Sequence, residues 1–151
     1  MTASATLAEL GITLPPVVAP VAAYVPAVRS GNFVYTSGQL PMRDGVLPAT
    51  GKVGADVSAE DAKQLAQQCA LNALAAIHAL VGIDNVVKVV KVVGFVASDP
   101  SFTGQPGVIN GASEFFVQVF GDVGAHARSA VGVAALPSDA PVEVEVIVEV
   151  A

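Results

Sequence analysis

Arg128 stands between the Gly124–Ala127 run and the apolar run Val131–Ala135, in a chain of 151 residues that carries only seven Lys and Arg. A guanidinium offers a planar fork of donors that fits a carboxylate with two parallel bonds, and a place at the mouth of an apolar strand partly desolvates that fork. The chemistry this favours is the binding of a small carboxylate. Downstream, Val142–Glu149 alternates strictly, so its valines share one side of a strand while Glu143, Glu145, Ile147 and Glu149 share the other. Acidic residues on such a face are ordinarily solvated. One of them can move protons only where a partly dry cleft or a neighbouring charge tunes it.

Other residues offer weaker chemistry. Ser37-Gly38 closes a β-prone run with two small residues, which allows backbone groups to approach a ligand. Asn110 could serve as a helix N-cap, and Tyr24 as a half-buried packing residue. His126 lies in a glycine-rich turn and is predicted to face solvent; His78 is predicted at the surface or core edge of a helix. Two separated histidines without clustered cysteine or carboxylate give no metal-ligand spacing, so no metal is expected. The single cysteine, Cys69, falls on the apolar side of a helix and reads as a small core residue. It cannot form an internal disulfide, which suits a reducing compartment.

The elements that must position these groups follow from hydrophobic period and turn signals. Residues 1–16 are predicted to form an amino-terminal arm, with a short helix around Leu7–Leu10 and a stop at Pro15-Pro16; residues 17–151 form one domain. Val25–Arg29 and Phe33–Ser37 flank the turn Ser30-Gly31-Asn32 as a hairpin. Ser58 followed by Asp61 marks a helix start, and apolar residues from Ala62 to Leu80 keep helical spacing until Gly82. Val86–Val96 is β-branched on both of its faces and is predicted to be buried on both sides; a second helix runs around Val108–Val119 and ends at Gly121. Strands at about Ser129–Ala135 and Val142–Val150 complete a β-β-α-β-α-β-β order. That order predicts an α+β fold, a mixed sheet with two helices on one face. The face left open by the helices then calls for another copy of the chain, so an oligomer of unspecified order is expected.

Composition narrows the partners. With 53% apolar and 13% charged residues the chain is long enough for a single core. The net charge of −6 supplies no electrostatic footprint for nucleic acid. The first basic residue is Arg29, which leaves no charged secretory n-region, and the longest apolar stretch is interrupted by Asn72 and His78. A cytoplasmic protein without membrane or nucleic-acid partners is expected.

Taken together, Arg128-Ser129 two residues ahead of Val131, then Leu136-Pro137, then the alternating glutamate strand resemble the signature of the Rid (YjgF) family of enamine/imine deaminases. Tyr24-Val25, Gly31–Pro41 and Asn110 preceding Glu114-Phe115-Phe116 extend the likeness over roughly residues 17–150, as a longer, divergent branch. The resemblance implies a chorismate-mutase-like fold, a homotrimer with a site in each cleft between subunits, and no cofactor. It implies that Arg128 binds the carboxylate of a 2-imino or 2-enamino acid and that Glu143 directs water, releasing a 2-keto acid and ammonia. Tyr24, Ser37, Gly38, Asn110 and the backbone of Ala130 are then the substrate-binding residues. Many members carry cysteine where this chain has Ala130, which excludes a thiol there. The 98–110 loop is longer than in short members, which reshapes the pocket rim. Two further readings remain beside the deaminase: a non-catalytic trimer that binds a small carboxylate metabolite or a protein partner, and an endoribonuclease, which the net charge opposes.

Overall fold

The structure, a computed structural model, describes all residues except 18, 19 and 21, so the first positions of the expected 17–151 domain lie partly outside the described residues. Its elements run α1 (Ala3–Glu9), β1 (Ala27–Ser30), β2 (Phe33–Thr36), α2 (Ala59–Val81), β3 (Val86–Ala97), α3 (Gln105–Phe120), β4 (Ala127–Val133) and β5 (Val142–Val150). The five strands form one mixed sheet in the order β1-β2-β5-β3-β4, antiparallel throughout except for the parallel pair β3 and β4. A parallel pair needs a crossover, and α3 supplies it.

Local chemistry sets the helix ends. Ser58 accepts a hydrogen bond from the amide of Asp61 at 3.1 Å and starts α2, as the sequence predicts. Gly82, at φ 83°, ends it in a conformation that costs other residues strain. The buried side of α2 is largely alanine, from Ala62 through Ala66, Ala70 and Ala73 to Ala76, and small side chains let a second helix come close. Gly111 on α3 takes up that closeness, because a Cβ there would run into the backbone carbonyl of Lys63. Both helices pack on one face of the sheet, over Val92 and Val96 of β3 and Val142, Val144, Val146 and Val148 of β5.

In two places the structure departs from the sequence reading. The residues predicted as an arm are docked: Thr2 caps α1, Ala3 and Leu7 enter the core, and Ser4 donates from its amide and hydroxyl to Asp84 at 2.8 and 2.5 Å. The short helix expected around Leu7–Leu10 thus runs over Ala3–Glu9 and is part of the packed domain. Secondly, β3 is buried on one side only. Val89, Val92 and Val96 lie fully under the helices, whereas Val93 and Phe95 on the other face are half-buried and Val87 and Lys88 are exposed. The open face also shows Val28, Phe33, Tyr35 and Val131 to solvent. The strand is apolar on both faces, and a single chain covers only one of them. Among the described residues no helix is long and apolar enough to cross a membrane.

Candidate functional site

Arg128 is the second residue of β4 and stands beside Val92 of β3 in the parallel register. Neighbours across a sheet project to the same side, and Val92 lies wholly beneath the helices, so Arg128 projects toward α3. There its Nη1 donates to Asn110 Oδ1 at 2.7 Å and to Ser113 Oγ at 3.3 Å. Asn110 and Ser113 are three residues apart on α3 and so share one helix face. The side-chain ion pairs among the described residues are Lys52 with Asp139 and Lys63 with Glu114. Arg128 is half-buried, held by neutral acceptors, and makes no ion pair with a carboxylate among the described residues.

Asn110 lies inside α3, which starts at Gln105 after a Gly104 cap; the N-cap alternative is excluded. Ala130 pairs with Gly94, on the same side of β4 as Arg128, and is half-buried against the core. Sequence reasoning missed Ser113 altogether. It also misplaced His126, which is half-buried rather than solvent-facing. Its Nδ1 meets the Gly124 carbonyl at 2.6 Å, its Nε2 meets Ser113 Oγ at 2.9 Å, and its ring stands edge-on to buried Phe116 with centroids 6.0 Å apart. The available signals were spacing alone, Ser113 one helical step beyond Asn110 and His126 two residues ahead of Arg128.

Glu143 belongs to a second grouping. It pairs with Phe95, three residues along β3 from Val92 and hence on the open face of the sheet. Burial, and then the charge of Glu145, push its carboxyl above the ordinary glutamate range. Gly38 lies against it: a Cβ on Gly38 would sit 2.8 Å from the carboxyl carbon of Glu143. Ser37 donates its hydroxyl to the Val25 carbonyl at 2.6 Å and its amide to the Pro26 carbonyl at 2.8 Å, which ties the end of β2 to the segment carrying Tyr24. Tyr24 itself is 59% exposed. Cys69 is wholly buried with its thiol pushed well up, by burial first and then by Glu143, as suits a core residue. Among the described residues no three His, Cys, Asp or Glu side chains gather as a metal site would require.

The structure thus assembles Arg128 with Asn110 and Ala130, and Glu143 with Gly38 and Ser37, but does not bring the two sets together within one chain. Two strands of about 4.8 Å spacing and three residues of about 3.3 Å rise separate them, on opposite faces. The first set presents guanidinium donors of the kind that fit a carboxylate; the second holds a carboxyl that takes up a proton more readily than usual.

The family model described as Endoribonuclease L-PSP matches residues 13–150. Protein TCP17 of Trypanosoma cruzi is 46% identical over 148 residues, covering 97% of this chain and 92% of that protein. The crystal structure of Atu1372 from Agrobacterium tumefaciens, a protein of unknown function, superposes with a TM-score of 0.91 at 48% identity over 99% of this chain and 92% of its own. The YjgF gene product of E. coli matches with a TM-score of 0.64 at 29% identity, over 90% and 93% of the two chains.

Proposed function

The chain belongs to the YjgF/Rid family, and on that premise we propose that it hydrolyses small 2-imino and 2-enamino acids to 2-keto acids and ammonia without a cofactor. One observation carries this reading: the Arg128 guanidinium, half-buried and braced by Asn110 and Ser113, keeps its remaining donors free of any acceptor among the described residues. A substrate carboxylate meets those donors with two parallel bonds and so fixes the imine carbon beside the backbone of Ala130. Water then adds to the carbon–nitrogen double bond, giving up a proton to Glu143. The same carboxyl returns the proton to the nitrogen, giving a carbinolamine. The carboxyl then relays the proton of the new hydroxyl to that nitrogen, the carbon–oxygen double bond forms as the carbon–nitrogen bond breaks, and ammonia leaves the 2-keto acid. An upward-shifted carboxyl suits these transfers, since each asks it to hold and release a proton near its working pH.

The proposal includes a homotrimer in the cytoplasm, with each site shared between neighbouring chains. It is supported by the open face, where Phe33, Tyr35 and Val131 are exposed, and by the separation of Arg128 from Glu143 within one chain. Tyr24 and Ser37 then line the Glu143 side of the cleft. Light scattering after size exclusion is expected to return three chains. A monomer at micromolar concentration, unchanged on concentration, would rule out shared sites.

The deciding assay supplies freshly generated 2-iminopropanoate or 2-iminobutanoate and follows loss of the imine. Acceleration over the buffer rate is expected; none with the trimer present removes the deaminase reading. The separation of the two groupings also favours a second reading, a non-catalytic binder of small carboxylates, which would take up a 2-oxo acid without hastening hydrolysis. Ribonuclease activity, named in the family description, would appear as salt-sensitive RNA cleavage, against which the net charge of −6 counts.

A further inference from the structure

We propose that Ser113 and His126 are positioning residues that lock the Arg128 guanidinium in one orientation through a directed chain of hydrogen bonds. Their meaning for catalysis rests on the carboxylate-anchor reading above. The direction of the chain follows from what each atom can donate. The Gly124 carbonyl can only accept, so His126 Nδ1, 2.6 Å away, carries the imidazole proton. In the neutral ring Nε2 is then an acceptor, and Ser113 donates its hydroxyl to it at 2.9 Å. With its proton committed, Ser113 Oγ offers a lone pair to Arg128 Nη1 at 3.3 Å, while Asn110 Oδ1 takes a bond from the same nitrogen at 2.7 Å. One guanidinium nitrogen is thus fastened on two sides, and rotation about the guanidinium is blocked.

The far end of the chain is itself rigid. Phe116, fully buried, meets the His126 ring at 90° and sets its plane. Gly124 is buried so close to the backbone of Phe116 that a Cβ would lie 2.5 Å from the Phe116 carbonyl oxygen, which fixes the position of the carbonyl that His126 reads. Orientation therefore passes from the α3 core to the imidazole, to the serine and to the arginine. A bidentate grip depends on such orientation, because a fork that turns loses one of its two bonds.

Nitrogen-15 NMR of the full chain tests this, with His78→Gln identifying the His126 signals, since the chain has two histidines. In its neutral form His126 is expected as the Nδ1–H tautomer, with distinct, slowly rotating Arg128 Nη signals that merge in Ser113→Ala. Uptake of 2-oxobutanoate is expected to weaken about tenfold in Ser113→Ala. KM should rise by a like factor while kcat stays within about twofold, and Ser113→Thr should restore both. An Nε2–H tautomer, Ser113→Ala binding equal to that of the parent, or a failed threonine rescue would each overturn the proposal. Should the parent itself take up no 2-oxobutanoate, the carboxylate reading falls; the tautomer and the Arg128 signals then decide the orienting chain alone.

Discussion

Arg128 and Glu143 sit on the same sheet, yet Arg128 is fastened by side-chain bonds to Asn110 and Ser113 whereas the Glu143 carboxyl has no hydrogen-bond partner among the described residues. Only burial and the charge of Glu145 shape the second residue. The difference suits the tasks proposed for them. An anchor must hold one geometry before the ligand arrives, and its ordering cost is met during folding. A proton carrier must change charge within the reaction, and a strong bond to either form would bias it. Glycine packing marks the same contrast: Gly38 touches only the movable end of Glu143, while Gly124 is wedged against backbone.

The contrast breaks most sharply in Glu143→Gln. Turnover of 2-imino acids is expected to fall about 100-fold or more, while calorimetry still registers a bound 2-oxo acid, since the amide keeps shape but loses proton chemistry. Stability should move the opposite way. A carboxyl whose folded pKa lies above its unfolded one makes the folded state lose stability as pH rises from the ordinary glutamate value through the folded value, and the loss persists above it. Thermal unfolding of the glutamine variant near neutral pH is therefore expected slightly above the parent, and equal to it in acid below the glutamate range. A variant that is both inactive and less stable would assign Glu143 to the fold instead.

Arg128→Lys comes next, with hydrolysis expected to fall at least about tenfold and assembly unchanged, because an ammonium keeps charge but not the fork. Parental rates in this variant would end the anchor mechanism. Gly38→Ala is expected to reduce turnover several-fold with little change in melting temperature, because the added methyl displaces only a side-chain end. A large fall in melting temperature would show that Gly38 serves the backbone. The smallest effect belongs to Glu145→Gln, which removes one of the causes raising Glu143. The acid limb of the pH–rate profile should move to lower pH; an unmoved limb would leave burial as the sole cause.

The sequence showed some of this plainly and hid the rest for identifiable reasons. The serine cap and unbroken helical period of α2 placed it at 59–81, as observed, and the alternation of β5 placed its valines inward residue by residue. Those signals are local. The burial of His126 depends on Phe116 and Ser113, which reach it only once α3 packs beside β4, so its own glycine-rich surroundings pointed to solvent. The opposed faces of Arg128 and Glu143 depend on the register of β3 with both β4 and β5, which no single segment carries. α1 is seven residues long, too short for a clear period, and docks through one leucine, one alanine and the Ser4–Asp84 bonds.

β5 lies at the centre of the sheet, between β2 and β3, although it follows all four other strands in the sequence. During synthesis β2 and β3 therefore emerge with neighbouring edges open and wait for residues 142–150 before the sheet can close. Such late, long-range pairing slows folding and leaves intermediates with exposed strand edges that other chains can capture. The strand that brings Glu143 is also the one that completes the sheet, so a nascent chain does not acquire the carboxyl proposed as its proton carrier before its fold is sealed.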